Sequence, residues 1–263
     1  AYFEVDPAVS FTLTLSASPS GWGGATNEHG QSAFPAGTTV PVTAEPQQGY
    51  RFTHWSGNTA HIPQGSISSE NITITMPAEN IALTAHFDVD TETRFDVVMQ
   101  NRFWYEEELV AVTEITNVRH PAQERIQISA HAQYGYTFKH WTTDQGGHFD
   151  DPGQMQTHFT TPGNNVVIAA HFEVNTAIRH KLLVEVQPDA SLGSAKTIDD
   201  GNMYHARALV GVAATPATGA RFLYWTSEGG GSFADEQQPS TNFTMPVFPM
   251  PETKVIAHFQ WEN

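Results

Sequence analysis

A seven-residue phrase is written three times in this chain, as GYRFTHW (Gly49 to Trp55), GYTFKHW (Gly135 to Trp141) and GARFLYW (Gly219 to Trp225). The copies stand 86 and 84 residues apart, counted from Trp55 to Trp141 and from Trp141 to Trp225. A steady period of this kind means that the chain repeats one structural unit instead of building a single large core. Each copy follows a short alternating run, Val40 to Ala44, Ile126 to Ala130 and Val210 to Ala214, in which every second residue lands on one face of a strand. The glycine that opens each phrase can adopt the left-handed backbone of a hairpin turn without a Cβ clash. Phe52, Phe138 and Phe222 then fall on a face, and Trp55, Trp141 and Trp225 supply the largest apolar area a small sheet can bury. These tryptophans are the expected centres of three cores.

The units also close alike. Asn71 to Pro77 leads into Ile81 to Phe87, Thr157 to Pro162 into Val166 to Phe172, and Thr241 to Pro246 into Lys254 to Phe259. All six segments alternate like strands, and the proline that follows the first of each pair ends it because proline cannot donate to a ladder. Phe87, Phe172 and Phe259 therefore join the structural core. Short strands separated by Gly, Pro, Asn and Ser clusters, with no convincing amphipathic helix, predict an all-β chain of three tandem small antiparallel modules arranged end to end. The stretch Glu106 to Thr116 could be mistaken for a helix, but Val110, Val112, Thr113, Ile115 and Thr116 favour a strand.

The period sets the domains: residues 6–89, 90–174 and 175–263 form the three units. Residues 1–5 read as the last strand of an earlier one, since Ala1 to Val5 matches Ala85 to Val89 and Ala170 to Val174. That match predicts further repeats upstream. The junctions keep a strict count, eight residues from Phe3 to Phe11, from Phe87 to Phe95 and from Phe172 to His180, which a flexible Gly/Ser tether would not do. Limited bending between units is expected.

Two stretches vary between copies and are the natural places for binding differences on a constant scaffold. One follows the first strand: Gly21 to Gly37, Phe103 to Pro121 and Ser191 to Tyr204. The other follows each tryptophan: Ser56 to Ser69, Thr142 to Gln156 and Thr226 to Ser240.

These residues resemble the divergent form of the internalin B-type B repeat, a module of bacterial surface and secreted proteins. The likeness rests on GGATNEHG (Gly23 to Gly30), AGTTVPVTAEPQQGYRFTHWSG (Ala36 to Gly57) and NITITMPAENIALTAHF (Asn71 to Phe87), and it extends over the whole chain in three copies. It implies a β-grasp-like module or compact β-sandwich, strung in arrays that project or space the other domains of an adhesin, with no catalytic residues. Unit 2 departs by lacking the Gly-Gly pair and unit 3 by carrying Ala220 after its glycine, which predicts altered loop shapes on a common fold.

Composition narrows the function further. There is no cysteine, so disulfides and thiol chemistry are excluded. The formal net charge is -16, from 12 basic and 28 acidic residues spread over all three units, which disfavours nucleic acid and anionic membrane as partners. No apolar run approaches the ~20 residues of a membrane helix and no leader is visible, so an export signal, if used, lies outside this sequence.

Thirteen histidines raise the question of a metal. His86, His171 and His258 share one column and His54 and His140 another, but the third copy there is Tyr224, and no tight spacing gathers the three or four ligands zinc needs. Alternation puts His86 on the outer face, where cross-strand packing or solvation is the expected role. Glu4 and Asp6, Asp88 and Asp90, and Glu173 and Asn175 recur at the junctions and could hold interdomain calcium, although no complete ligand set is present. Trp22, Trp104 and Tyr105 lie in the variable stretches and are the candidates for stacking on a sugar ring. No phosphate-cradling loop, nucleophile elbow or paired-His zinc helix occurs. Asp150 and Asp151 have no wider support as glycosidase carboxylates, and unit 1 has no Lys for a self-generated isopeptide bond. The expectation is a monomeric, non-catalytic stalk or adhesin-type module outside the bacterial cell, with other repeats as its contacts. A carbohydrate- or host-protein-binding module, alone or attached to a secreted enzyme, is the alternative.

Overall fold

The computed structural model describes residues 9–262. The strand expected at residues 1–5 and the junction acids Glu4 and Asp6 lie outside the described residues. Unit 1 consists of β1 (Ser10–Ser18), β2 (Gly23–Asn27), β3 (Ala33–Pro35), β4 (Thr39–Pro46), β5 (Tyr50–Gly57), β6 (Asn71–Thr75) and β7 (Ile81–Val89). Unit 2 consists of β8 (Phe95–Tyr105), β9 (Glu108–His120), β10 (Arg125–Ser129), β11 (Tyr136–Thr143), β12 (His148–Phe149), β13 (Gln156–Thr160) and β14 (Val166–Val174). Unit 3 consists of β15 (His180–Gln187), β16 (Gly193–Thr197), β17 (Met203–Tyr204), β18 (Leu209–Pro216), β19 (Ala220–Glu228), β20 (Ser232–Phe233), β21 (Ser240–Thr244) and β22 (Glu252–Trp261). The fold is all-β and modular, with only two 3-10 turns, Thr59–His61 and Ala190–Leu192, among the described residues.

Each unit holds two small sheets with one apolar cluster between them, the compact-sandwich form of the expectation. In unit 1 the sheets run β3-β1-β7-β5 and β2-β4-β6. In unit 2 they run β11-β14-β8-β9 and β10-β13-β12, and in unit 3 β17-β15-β22-β19 and β16-β18-β21-β20. The first sheet of each unit is mixed, however, while the second is purely antiparallel. The first strand of each unit pairs parallel with its last: Leu13 with Ile81, Val97 with Val166, Leu182 with Thr253. Alternation dictates which face a side chain occupies and is silent on the direction of the partner strand. The crossover a parallel pair requires is supplied by the whole second sheet.

Phe52 and Trp55 are three residues apart, an odd spacing that would put them on opposite faces of a regular strand. The register shifts between Phe52 and His54, and again between Phe138 and His140 and between Phe222 and Tyr224. This one-residue bulge turns both aromatics inward. Phe52 pairs with Phe87 and Trp55 with Ala85 on the inner face, while His54 meets His86 on the outer one. Trp55, Trp141, Trp225, Phe87, Phe172 and Phe259 are buried, and Phe52, Phe138 and Phe222 pack half-buried at the cluster edges.

Unit 2 differs from its sisters in one respect. β1 stops at Pro19 and β15 at Pro188, and the chain then crosses to the second sheet as β2 and β16. β8 meets no proline, runs on to Tyr105, and returns as β9 in the same sheet through the two-residue turn Glu106-Glu107, both with positive φ. The crossing strand of units 1 and 3 opens with a glycine that unit 2 lacks. In units 1 and 3 the rings of Phe87 and Phe259 lie against Gly23 and Gly193, where a Cβ would come within 2.4 and 2.8 Å of ring carbons. In unit 2 the Phe103 ring covers Phe172 instead, with centroids 5.2 Å apart and planes at 19°.

Candidate functional site

The indole of each core tryptophan does more than fill space. Trp55 Nε1 donates to the Ser69 carbonyl at 2.9 Å, Trp141 Nε1 to Gln154 at 3.0 Å and Trp225 Nε1 to Gln238 at 3.0 Å. The backbone N–H groups of the same tryptophans donate to Ile67, Pro152 and Glu236. The segments after each tryptophan, expected to vary freely, are thus fastened to the core at two points.

On the outer face the histidine columns form cross-strand stacks. His54 lies on His86 with centroids 4.5 Å apart, His140 on His171 at 4.6 Å and Tyr224 on His258 at 4.6 Å. A hydroxyl of the neighbouring strand meets Nε2 each time: Ser56 on His86, Thr142 on His171 and Thr226 on His258, at 2.7 to 2.8 Å. These are packing histidines, as their outward position implied.

The three aromatics singled out from the sequence do not converge. Trp22 stacks on Tyr50 at 4.8 Å and packs on the unit 1 core. Trp104 and Tyr105, expected in a variable loop, are the last two residues of β8. Tyr105 packs at the edge of the unit 2 core and faces His205 of unit 3 at 5.6 Å, with burial pushing its hydroxyl up.

Trp104 stands on the outer face beside the histidine stack. Its Nε1–H donates to His171 Nδ1 at 3.0 Å, and the two rings lie within 16° of parallel. Since Nδ1 accepts, the neutral imidazole carries its proton on Nε2 and donates to Thr142 Oγ1. Burial, then the neighbouring His140, then Arg102 push the His171 pKa down to about 4, so that the neutral tautomer persists at physiological pH. The half-buried indole is thereby held edge to edge with a buried imidazole. Around it Glu107, Lys139, His140 and Glu173 complete a groove of about 340 Å³, with Lys139 Nζ 2.7 Å from Glu173 Oε2. A larger concavity of about 690 Å³ in unit 1 is lined by Leu13, Leu15, Ala25 and small polar residues, without an aromatic or ionisable group.

The junction carboxylates are engaged locally. Asp88 lies 3.5 Å from Arg51. Asp90 accepts from Thr93 Oγ1 and the Glu92 N–H, which hold its carboxyl below the usual range, and Asn175 accepts from the Ala177 N–H. No group of three or more His, Asp or Glu side chains placed to share a metal ion occurs among the described residues. Asp150 is paired with Arg125, which lowers its pKa, and Asp151 accepts from the Gly153 N–H within its own turn. No helix among the described residues is long and apolar enough to cross a membrane.

A family model described as the divergent InlB B-repeat domain matches residues 13–91, 112–176 and 182–263. Among solved structures, the pilus adhesin SpaC from Lactobacillus rhamnosus GG in its open conformation is similar at 9% identity and a TM-score of 0.24. The alignment covers 96% of this chain and 43% of that one, so this chain spans less than half of the pilus adhesin. A Mobiluncus mulieris adhesin containing intramolecular disulfide, isopeptide and ester cross-links is similar at 8% identity and a TM-score of 0.23, over 97% of this chain and 98% of that one. A search of curated protein sequences finds no match.

Proposed function

Because the chain belongs to the divergent InlB B-repeat domain family, we propose that it is a non-catalytic segment of a bacterial cell-surface or secreted protein, working as a stalk that spaces or presents other domains. One observation carries this reading: three sandwiches, each closed around its own tryptophan, are joined by short packed connections with no tether between them. A solenoid-like array of this kind gains reach by adding copies, each resting on its neighbour. The surface is acidic throughout, which suits repulsion from anionic membranes and nucleic acids. The only acidic pair raised as a catalytic candidate is already occupied, Asp150 by Arg125 and Asp151 by its own turn.

The test is replacement. Exchanging the three units in the parent protein for an unrelated β-sandwich tandem of equal length should preserve surface exposure and the activity of the flanking domains. Loss that equal length does not restore would sink the stalk reading. Fractionation of cells expressing the parent should place the array in the medium or on the wall, and recovery from the cytoplasm would contradict it. A carbohydrate- or host-protein-binding role is the second reading, favoured by the flat aromatic surface at Trp104.

A further inference from the structure

We propose that the groove over Trp104 and His171 is a binding site for a neutral hexopyranose residue of a glycan, present in unit 2 and absent from units 1 and 3. The argument starts from strand length. The residues facing the outer histidine from the first strand are Ser18 in unit 1, Arg102 in unit 2 and Gln187 in unit 3. In units 1 and 3 the strand ends there at proline, whereas in unit 2 it continues to Trp104 and folds back, so only here does an indole lie beside the imidazole.

The hydrogen bond from Nε1 to Nδ1 fixes the indole against the sheet. A second bond, from His171 to Thr142, fixes the imidazole in turn. Both polar edges are thereby consumed within the protein, and what the Trp104 ring offers a ligand is its face. A pre-set aromatic face is suited to the apolar side of a pyranose, whose axial C–H groups carry partial positive charge toward the ring. His140, stacked 4.6 Å above His171, makes a step at one side of that face.

The rim supplies what the hydroxyls of a sugar need. Glu107 sits on the hairpin turn at one side, and Lys139 and Glu173 sit at the other, giving carboxylate acceptors and an ammonium donor around a volume of about 340 Å³. That volume is at the small end of the range for small-molecule sites and suits one ring. Two carboxylates, Glu107 and Glu173, against the one ammonium of Lys139 leave the acidic side chains in excess around the groove, which disfavours sialylated, sulfated or uronic sugars. The rigid platform means that little side-chain ordering opposes binding.

The assignment goes beyond the stalk role, which stands whether or not a sugar binds. The test uses the whole three-unit chain, with saturation-transfer NMR against methyl glucoside, galactoside and mannoside at millimolar concentration, followed by arrays of host glycans and of bacterial wall polysaccharides. The expected result is saturation transfer from the aromatic protons to one face of a neutral pyranose. Trp104→Ala should weaken binding at least ten-fold, and Glu107→Gln, on an exposed turn that leaves the core untouched, about three-fold. Trp22→Ala should leave it unchanged. The two array arms tell a host glycan from the organism's own wall as the source. The proposal fails if no neutral sugar binds the wild-type chain, if only acidic glycans bind, or if binding survives Trp104→Ala.

Discussion

The joint between units 1 and 2 and the joint between units 2 and 3 use equivalent positions and different chemistry. At the first, the Phe95 ring slides under Gly49, a position of positive φ where a Cβ would come within 2.8 Å of that ring, and packs beside Ala122. Tyr50 remains half-exposed, stacked on Trp22, and its hydroxyl accepts from Gln123 Nε2 at 2.9 Å. At the second, Tyr136 is buried and donates to the Val247 carbonyl at 2.7 Å, with its pKa pushed up to about 12 by burial. Phe248 packs edge-on against Phe103 at 4.7 Å and tilted on Tyr136 at 5.6 Å. Ala206 and Val247 of unit 3 belong to the apolar cluster of unit 2. The first joint is therefore a polar latch over one buried ring, and the second is an extension of a core. Stiffness along the array should be uneven, with units 2 and 3 behaving as a pair.

The harshest challenge to that picture is Trp141→Ala, because unit 2 contributes to both joints. Truncating a tryptophan that is 2% exposed should destabilise unit 2 by about 3 to 5 kcal/mol and lower its denaturation midpoint first. Hydrogen exchange resolved by unit should show unit 3 losing protection along with it and unit 1 much less. Unchanged melting would overturn the core assignment, and equal losses in units 1 and 3 would overturn the asymmetry. Phe248→Ala addresses the second joint alone. The ring is 37% exposed, so its removal should weaken the pairing by about 1 to 2 kcal/mol and widen the distribution of distances between labels on units 2 and 3. Labels on units 1 and 2 should report no change.

The repeat, the glycine turns, the tryptophan cores and the modular all-β fold were legible because each depends on local pattern, and pattern survives between copies. Gly49, Gly135 and Gly219 do adopt positive φ. The parallel pairing was not legible, since partner direction leaves no mark on alternation. The bulge was hidden in plain sight: two inward aromatics spaced by three demand an extra residue between them. The second joint left a comparable trace. From the proline to the residue paired with the first strand is four positions in units 1 and 2 (Pro77 to Ile81, Pro162 to Val166) and seven in unit 3 (Pro246 to Thr253). The longer connection holds Val247 and Phe248, which reach unit 2. The Trp104 groove was half legible. Its aromatic stands out in the sequence, but in a stretch that reads as a loop, because only the absence of a proline after β8 marks the longer strand.

Acid should separate the joints by a different route. Where the first joint has Phe95, the second has His180, 1% exposed, with neither ring nitrogen in a hydrogen bond. Its ring meets Tyr134 edge-on and the Gly135 backbone, and its backbone pairs with Tyr204. Burial pushes its pKa down, opposed weakly by the nearby Met250 backbone. A base depressed in the folded state stabilises fully above its unfolded pKa of about 6.5, and that contribution fades as pH falls through the window below. His171 acts in the same direction with a folded value of about 4. Lowering the pH from 7 toward 4.5 should thus loosen units 2 and 3 from each other while the first joint holds. His180→Phe, which copies the residue of the first joint, should abolish the acid-induced change in distance and leave the His171 contribution to unit 2 stability in place. Distances at the second joint that do not respond to acid in the wild type would remove His180 from the argument.

The smallest effect belongs to the latch. Gln123 occupies a left-handed backbone conformation, φ 60°, so Gln123→Ala keeps the local strain and removes only the bond to Tyr50. An exposed hydrogen bond of this kind is worth about 0.5 to 1 kcal/mol, too little to shift the melting of either unit but enough to widen the distances between them. Tyr50→Phe removes the same bond from the other side while keeping the stack on Trp22. If the latch is this one bond, the double variant should be no looser than either single one, since both changes delete one interaction. Additive loosening would mean that Tyr50 and Gln123 restrain the joint through separate contacts, and the first joint would then be more like the second than its half-exposed tyrosine suggests.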